Sequence, residues 1–120
     1  TDLELPVRHG EGKFYTDPEN LKRLADNQQV ALQYALPDGR PADQAFPHNP
    51  NGSILDIAGI CDPTGRIFGL MPHPEAYNHW TNHPDWPLMK EKLKRKGEPM
   101  PSGLTPGLEM LRNGVAYFRG

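Results

Sequence analysis

Cysteine, long apolar runs and an excess of positive charge are all scarce in this sequence, and each shortage closes a class of function. A single cysteine, Cys61, rules out an intramolecular disulfide, so the fold needs no oxidising compartment. No apolar run approaches the roughly 18 residues of a membrane span, and no signal peptide is expected. The expected compartment is the cytoplasm, with no membrane partner. Thirteen Lys and Arg against 15 Asp and Glu give a net charge of −2. That balance supplies no global positive field for nucleic acid. Aromatic residues are 8% and hydrophobic residues 36%, with a mean hydropathy of −0.71, so core material is thin.

What the chain does hold is turn chemistry. Its 12 glycines and 14 prolines exceed a fifth of the 120 residues, against an average of roughly 12%. The length suits one loop-rich domain, and the pattern of elements suits an α/β fold, not a helical bundle. The chain opens on Thr1 and runs straight into a β-type stretch, Leu3-Glu4-Leu5-Pro6-Val7, as a piece of something longer would.

Leu3 to Tyr15 reads as two short strands around the glycine-rich bend His9-Gly10-Glu11-Gly12. Asp17-Pro18-Glu19 is a helix start, with Asp17 as cap and Pro18 at the first helical position. Leu21, Leu24 and Ala25 supply a short apolar stripe. Val30 to Ala35 is a strand ended by Pro37-Asp38-Gly39, and residues 40–53 are a loop rich in Pro and Asn. Leu55–Cys61 and Arg66–Met71 form a hairpin through a type I turn, Asp62-Pro63-Thr64-Gly65. Asp85 starts a helix that Gly97 stops after Lys96. Thr105-Pro106 starts a last helix, with Leu108, Leu111, Val115 and Phe118 on one face.

The stretch richest in chemistry is Met71-Pro72-His73-Pro74-Glu75. A residue before proline is pushed to extended backbone, and residues two apart in extended chain share a side. His73 and Glu75 therefore project together from a strand end. A carboxylate beside an imidazole fixes its tautomer and stabilises its charged form. The spacing alone also fits an ordinary surface His and Glu.

The wider string narrows the choice. Asn49-Pro50-Asn51-Gly52-Ser53, Ile57-Ala58-Gly59-Ile60-Cys61 and Gly65-Arg66-Ile67-Phe68-Gly69-Leu70-Met71-Pro72-His73-Pro74-Glu75 occur in that order. Together they resemble the C-terminal half of the class I glutamine amidotransferases, and within them the glutaminase components of phosphoribosylformylglycinamidine synthases. Leu5-Pro6-Val7-Arg8-His9-Gly10-Glu11-Gly12-Lys13 and Val30-Ala31-Leu32-Gln33-Tyr34 resemble the same family's strands. The resemblance covers residues 3–75 and, more weakly, the last helix. Ala76 stands where the family usually has Arg, and residues 76–103 match no part of the pattern.

The resemblance implies that residues 1–120 are the C-terminal half of one flavodoxin-like domain, with mixed and antiparallel strands. It implies glutamine hydrolysis that feeds ammonia to a synthetase partner in purine biosynthesis. In that partner ATP and Mg would drive the synthesis of formylglycinamidine ribonucleotide. His73 would be the catalytic base and Glu75 its orienter, with no cofactor or metal in this chain. His9, Gly10, Glu11, Gly12, Asn49 and Asn51 would lie at the substrate or at an interface. The nucleophilic cysteine and the oxyanion-hole glycines belong to the family's N-terminal half, absent here, so the chain alone would be inactive.

Other features compete with this reading. Cys61 sits at a strand end with no helix N-terminus after it, and Asp62 opposes a thiolate, so it reads as a structural thiol. His73, Glu75, His79 and His83 lie within eleven residues. Such a run suggests a small His-rich metal-binding protein, but Asn78, Asn82 and Pro84 make a poor helix for an i, i+4 ligand pair. Lys90 to Lys96 carries five positive charges in seven residues, which suits either a solvated helix end or an acidic or phosphate-bearing partner. Trp80 and Trp86 suit packing or a partner-binding patch. A further alternative is a non-catalytic amidotransferase-like module docking on a synthetase.

Overall fold

The structure, a computed structural model, describes residues 2–120. The elements run in the order helix α1 (Pro18–Asp26), strands β1 (Val30–Gln33), β2 (Ile57–Cys61) and β3 (Phe68–Leu70), then helices α2 (Trp86–Lys96) and α3 (Pro106–Arg119). Single 3-10 turns occur at Ile54–Asp56, Pro74–Ala76 and Trp80–Asn82. The fold is α/β with one three-stranded sheet ordered β1-β2-β3. Both strand pairs are antiparallel, so the expected mixed sheet is not seen among the described residues. The chain divides into two compact units, one of residues 7–72 and one of residues 2–6 with 73–120.

In the first unit the local signals act as their chemistry dictates. Asp17 accepts from the Asn20 backbone N–H at 2.9 Å, so α1 starts at Pro18. β2 and β3 pair with Gly59 opposite Leu70 and Cys61 opposite Phe68. The turn between them closes with Gly65 N–H on the Asp62 carbonyl at 3.0 Å. The Asp62 carboxylate accepts from Ile67 N at 2.9 Å, Thr64 Oγ1 at 2.7 Å and Arg66 N at 2.9 Å. These bonds, the Ile67 one first, hold its pKa near about 2, below the ordinary 3.8. A depressed carboxylate stabilises the fold above its unfolded pKa and stops doing so as pH falls through its folded pKa. The hairpin amides at Arg66 and Ile67 are therefore expected to lose hydrogen-exchange protection as pH falls from 3.8 toward about 2. In Asp62→Asn that pH step should vanish.

The core of this unit is small: Tyr34, Ala42 and Ala58 are buried, with Leu32 packed on them. Beside it lies a polar knot. Asp56 is 4% exposed and Asn49 and Ser53 are each 1% exposed. This knot ends the strands earlier than their sequence suggests. Tyr34 N–H turns to the Asp56 carbonyl at 2.7 Å, so β1 stops at Gln33 and does not reach Ala35. Leu55 and Asp56 sit at φ of +49° and +55°, so β2 begins at Ile57 and not at Leu55.

The expected strands in residues 3–15 do not form. Pro6 has no N–H to give to a ladder. The segment makes isolated bonds instead, such as Ile54 N to Phe14 O at 3.1 Å and Phe14 N to Ser53 Oγ at 3.0 Å.

In the second unit α2 ends at Gly97, in the left-handed region at φ +67°. Asp85 holds the cap position of α2, but its side chain makes no capping bond. α3 is capped by Thr105, whose Oγ accepts from Leu108 N. Its apolar face is bare: Leu111, Val115 and Phe118 are 47%, 51% and 68% exposed. The 3-10 turn Trp80–Asn82 was not legible in the sequence. His79 caps it through Thr81 N, and the Asn82 side chain returns to His79 N at 2.8 Å.

Candidate active site

β3 ends at Leu70, and Met71 N–H continues its ladder to the Ala58 carbonyl at 2.8 Å. Two residues on, His73 takes φ −110° and ψ 85°, and its N–H bonds the Pro6 carbonyl at 2.8 Å. Glu75 does not continue the extended chain. It sits in the 3-10 turn Pro74–Ala76, closed by Ala76 N on the His73 carbonyl at 3.1 Å and by Tyr77 N on the Pro74 carbonyl at 3.1 Å. The pair meets by turn geometry, and the expected i, i+2 strand geometry is corrected on this point.

The meeting is close: His73 Nδ1 lies 2.6 Å from Glu75 Oε1. A carboxylate there makes Nδ1 the proton-bearing nitrogen and leaves Nε2 as the basic one. The two side chains are 39% and 62% exposed, so the base stands open to a substrate. A base held by a carboxylate through one ring nitrogen can use the other to take a proton from a nucleophile and return it to a leaving group.

His9, Gly12 and Asn51 gather in the other unit. Asn51 Nδ2 donates to the Gly12 carbonyl at 2.8 Å and to His9 Nδ1 at 3.0 Å. His9 Nδ1 therefore accepts, and its Nε2 is buried with no partner among the described residues. A Cβ on Gly12 would stand 2.6 Å from His9 Cγ, so any larger residue there would displace the imidazole. Gly10 and Glu11 are exposed on the same bend.

Asn49 builds the loop from within. Its Nδ2 donates to the Ser53 carbonyl at 2.9 Å and to Asp56 Oδ1 at 2.8 Å, and its Oδ1 accepts from Ser53 N at 2.9 Å. The residue is 1% exposed. Asp56, the partner that organises this loop, gave no signal in the sequence beyond being an acidic residue before an apolar run.

The four-residue set proposed for a metal is dispersed. His79 Nδ1 is 2.8 Å from Thr81 Oγ1, and His83 Nε2 is 3.1 Å from Glu4 Oε1. His83 Nδ1 also accepts from Asp85 N at 3.0 Å, so its Nε2 proton points to Glu4. Each imidazole has its own partner, and no group of three or more His, Cys, Asp or Glu among the described residues is placed to hold a metal ion. Trp80 packs edge-on to Tyr77 with ring centroids 6.0 Å apart. Burial, with the Glu4 charge added, raises the Tyr77 phenol above its ordinary 10.0.

Cys61 ends β2 opposite Phe68, with its N–H on the Gln29 carbonyl at 2.9 Å and Sγ 3.7 Å from the same oxygen. A half-buried thiol on a sheet acts as a small hydrophobe. If the chain takes part in glutamine hydrolysis, as the resemblance implies, Cys61→Ser is expected to change that hydrolysis by less than about threefold. A loss of two orders of magnitude would make Cys61 the nucleophile.

The CobB/CobQ-like glutamine amidotransferase domain matches residues 1–118. The chain is 46% identical over 114 residues to the phosphoribosylformylglycinamidine synthase subunit PurQ of Methanococcus maripaludis, covering 95% of the chain and 42% of that relative. It is 41% identical over 117 residues to the same subunit from Dehalococcoides mccartyi, covering 98% of the chain and 40% of the relative. With the subunit of a Synechococcus species it shares 52% over 73 residues, 61% of the chain and 28% of the relative. The chain thus spans less than half the length of the curated relatives it matches. The family match also takes in residues 76–103, which the motif pattern alone leaves unassigned. The chain belongs to the CobB/CobQ-like glutamine amidotransferase domain family.

Proposed function

We propose that this chain is the C-terminal part of a glutaminase that supplies ammonia for formylglycinamidine ribonucleotide synthesis. The observation that carries the reading is the 2.6 Å contact between His73 Nδ1 and Glu75 Oε1 within the Pro-His-Pro-Glu string. The similarity to the PurQ subunits of phosphoribosylformylglycinamidine synthase supports the choice of substrate and pathway. The bare face of α3, with Leu111, Val115 and Phe118 exposed, supports a larger flavodoxin-like domain of which this is the C-terminal half. No helix among the described residues is long and apolar enough to cross a membrane, and the reading places the protein in the cytoplasm.

The steps follow from the pair. A cysteine thiol on the N-terminal half gives its proton to His73 Nε2, and the thiolate attacks the glutamine amide carbon. His73 then gives that proton to the departing nitrogen, which leaves as ammonia, and a thioester remains. Water attacks the thioester, with His73 taking its proton, and glutamate is released as the thiol regains a proton. Glu75 holds Nδ1–H throughout and stabilises the imidazolium. The reaction needs no metal or organic cofactor here. ATP and Mg act in the synthetase partner, which receives the ammonia.

The test is assembly. The chain is mixed with the nucleophile-bearing half, on the same polypeptide or in trans, and glutamate release is measured. The expected result is hydrolysis only when both parts are present. No hydrolysis from a folded assembly would leave a docking module as the remaining reading.

A further inference from the structure

Glu75 reaches His73 only because the 3-10 turn Pro74–Ala76 has one particular shape, and that turn is short. A single turn has little internal support, so its shape must be imposed by what it packs against. What it meets in its own unit is the first turn of α3.

Two residues at the start of α3 make that contact, the helical Gly107 and the cap Thr105. Gly107 is the second residue of the helix and is buried. Glycine is the poorest helix former after proline. The reason for it is backbone approach. A Cβ on Gly107 would stand 3.0 Å from both the Pro74 carbonyl carbon and the Tyr77 carbonyl oxygen, and closer still to the Pro74 carbonyl oxygen. All three are main-chain atoms, which cannot swing aside as a side chain would. Thr105 is 1% exposed, and its Oγ1 donates to the Tyr77 carbonyl while accepting from Leu108 N at 3.4 Å. One hydroxyl therefore caps α3 and ties down the residue that follows the turn. Ala76 and Tyr77, at 7% and 4% exposed, seal the contact.

We propose that Gly107 and Thr105 are positioning residues for the His73–Glu75 pair: they fix the backbone of Pro74–Ala76 so that Glu75 Oε1 stays on His73 Nδ1. Neither touches the imidazole or any reacting atom. Both act through the turn. The proposal rests on the glutaminase reading for its catalytic consequence, but its structural half is separate and is measured separately.

The experiment has two arms. In the chain itself, the His73 Nδ1–H resonance is followed by proton–nitrogen NMR, because a proton held on a carboxylate exchanges slowly and is seen, while a loosened one is not. In the assembled glutaminase, kcat and KM for glutamine are measured. Gly107→Ala and Thr105→Val should each lose the resonance while circular dichroism stays that of a folded chain. Thr105→Ser keeps the hydroxyl and should restore it. The same two variants should lower kcat by about 10²-fold, as a misplacement of about 1 Å does, with KM little changed. If Gly107→Ala fails to fold, the Thr105→Val and Thr105→Ser comparison carries the test alone. Retention of the resonance in a folded Thr105→Val overturns the proposal. Loss of the resonance with unchanged kcat upholds the positioning and overturns the glutaminase reading of the pair.

Discussion

Replacing His73 by alanine in the proposed glutaminase is expected to slow glutamine hydrolysis by about 10²–10⁴-fold, the worth of a positioned general base. His79 and His83 are engaged with Thr81 and Glu4. Glu75→Gln should do less harm. Its amide oxygen can still accept from Nδ1–H and keep the ring oriented, while the charge that stabilises the imidazolium is lost. The ordering of the two losses is the content of the prediction. Glutamate release under saturating glutamine, for wild type and both variants, checks it. A larger loss in Glu75→Gln than in His73→Ala would contradict the assigned roles.

The second large effect is on stability and lies at Asp56. Its buried carboxylate accepts from Asp43 N at 2.8 Å, Gln44 N at 2.7 Å and Asn49 Nδ2 at 2.8 Å. Asp43 and Gln44 stand at φ of +53° and +57°, and Leu55 and Asp56 are also left-handed. Non-glycine residues avoid that region by roughly 1–2 kcal/mol each, so the carboxylate offsets strain at four positions. Asp56→Ala leaves three donors without their acceptor and is expected to destabilise the chain by about 3–5 kcal/mol. That is a large share of the roughly 5–15 kcal/mol of a typical domain. Asp56→Asn keeps one oxygen and a side chain that tolerates the left-handed region, so it should lose clearly less. Urea unfolding of the three chains measures the series. A midpoint for Asp56→Ala within error of wild type would show that the loop is held by other groups.

These two sites differ in how far the sequence betrays them. His73 and Glu75 stand in a proline-flanked string whose order relative to Asn49-Pro50-Asn51-Gly52-Ser53 carries information. The caps at Asp17 and Thr105 and the turn at Asp62 were legible because each is a local device of three or four residues. Asp56 was not legible, since its three donors come from Asp43, Gln44 and Asn49, and only folding brings them together. Gly107 gives no signal for the same reason: a glycine early in a helix does not say that the Pro74 carbonyl lies against it. The strands expected before Tyr15 failed because β-type residues do not pair unless a partner with free donors lies alongside.

The most direct measurement compares glutamine with ammonium salt as the nitrogen source for formylglycinamidine ribonucleotide synthesis, in complexes carrying wild-type chain or His73→Ala. The account predicts that His73→Ala loses the glutamine-driven reaction by about 10²-fold or more and keeps the ammonia-driven one. Equal loss of both would mean that His73 serves folding or docking. Retention of both would mean that the Pro-His-Pro-Glu string is a structural corner.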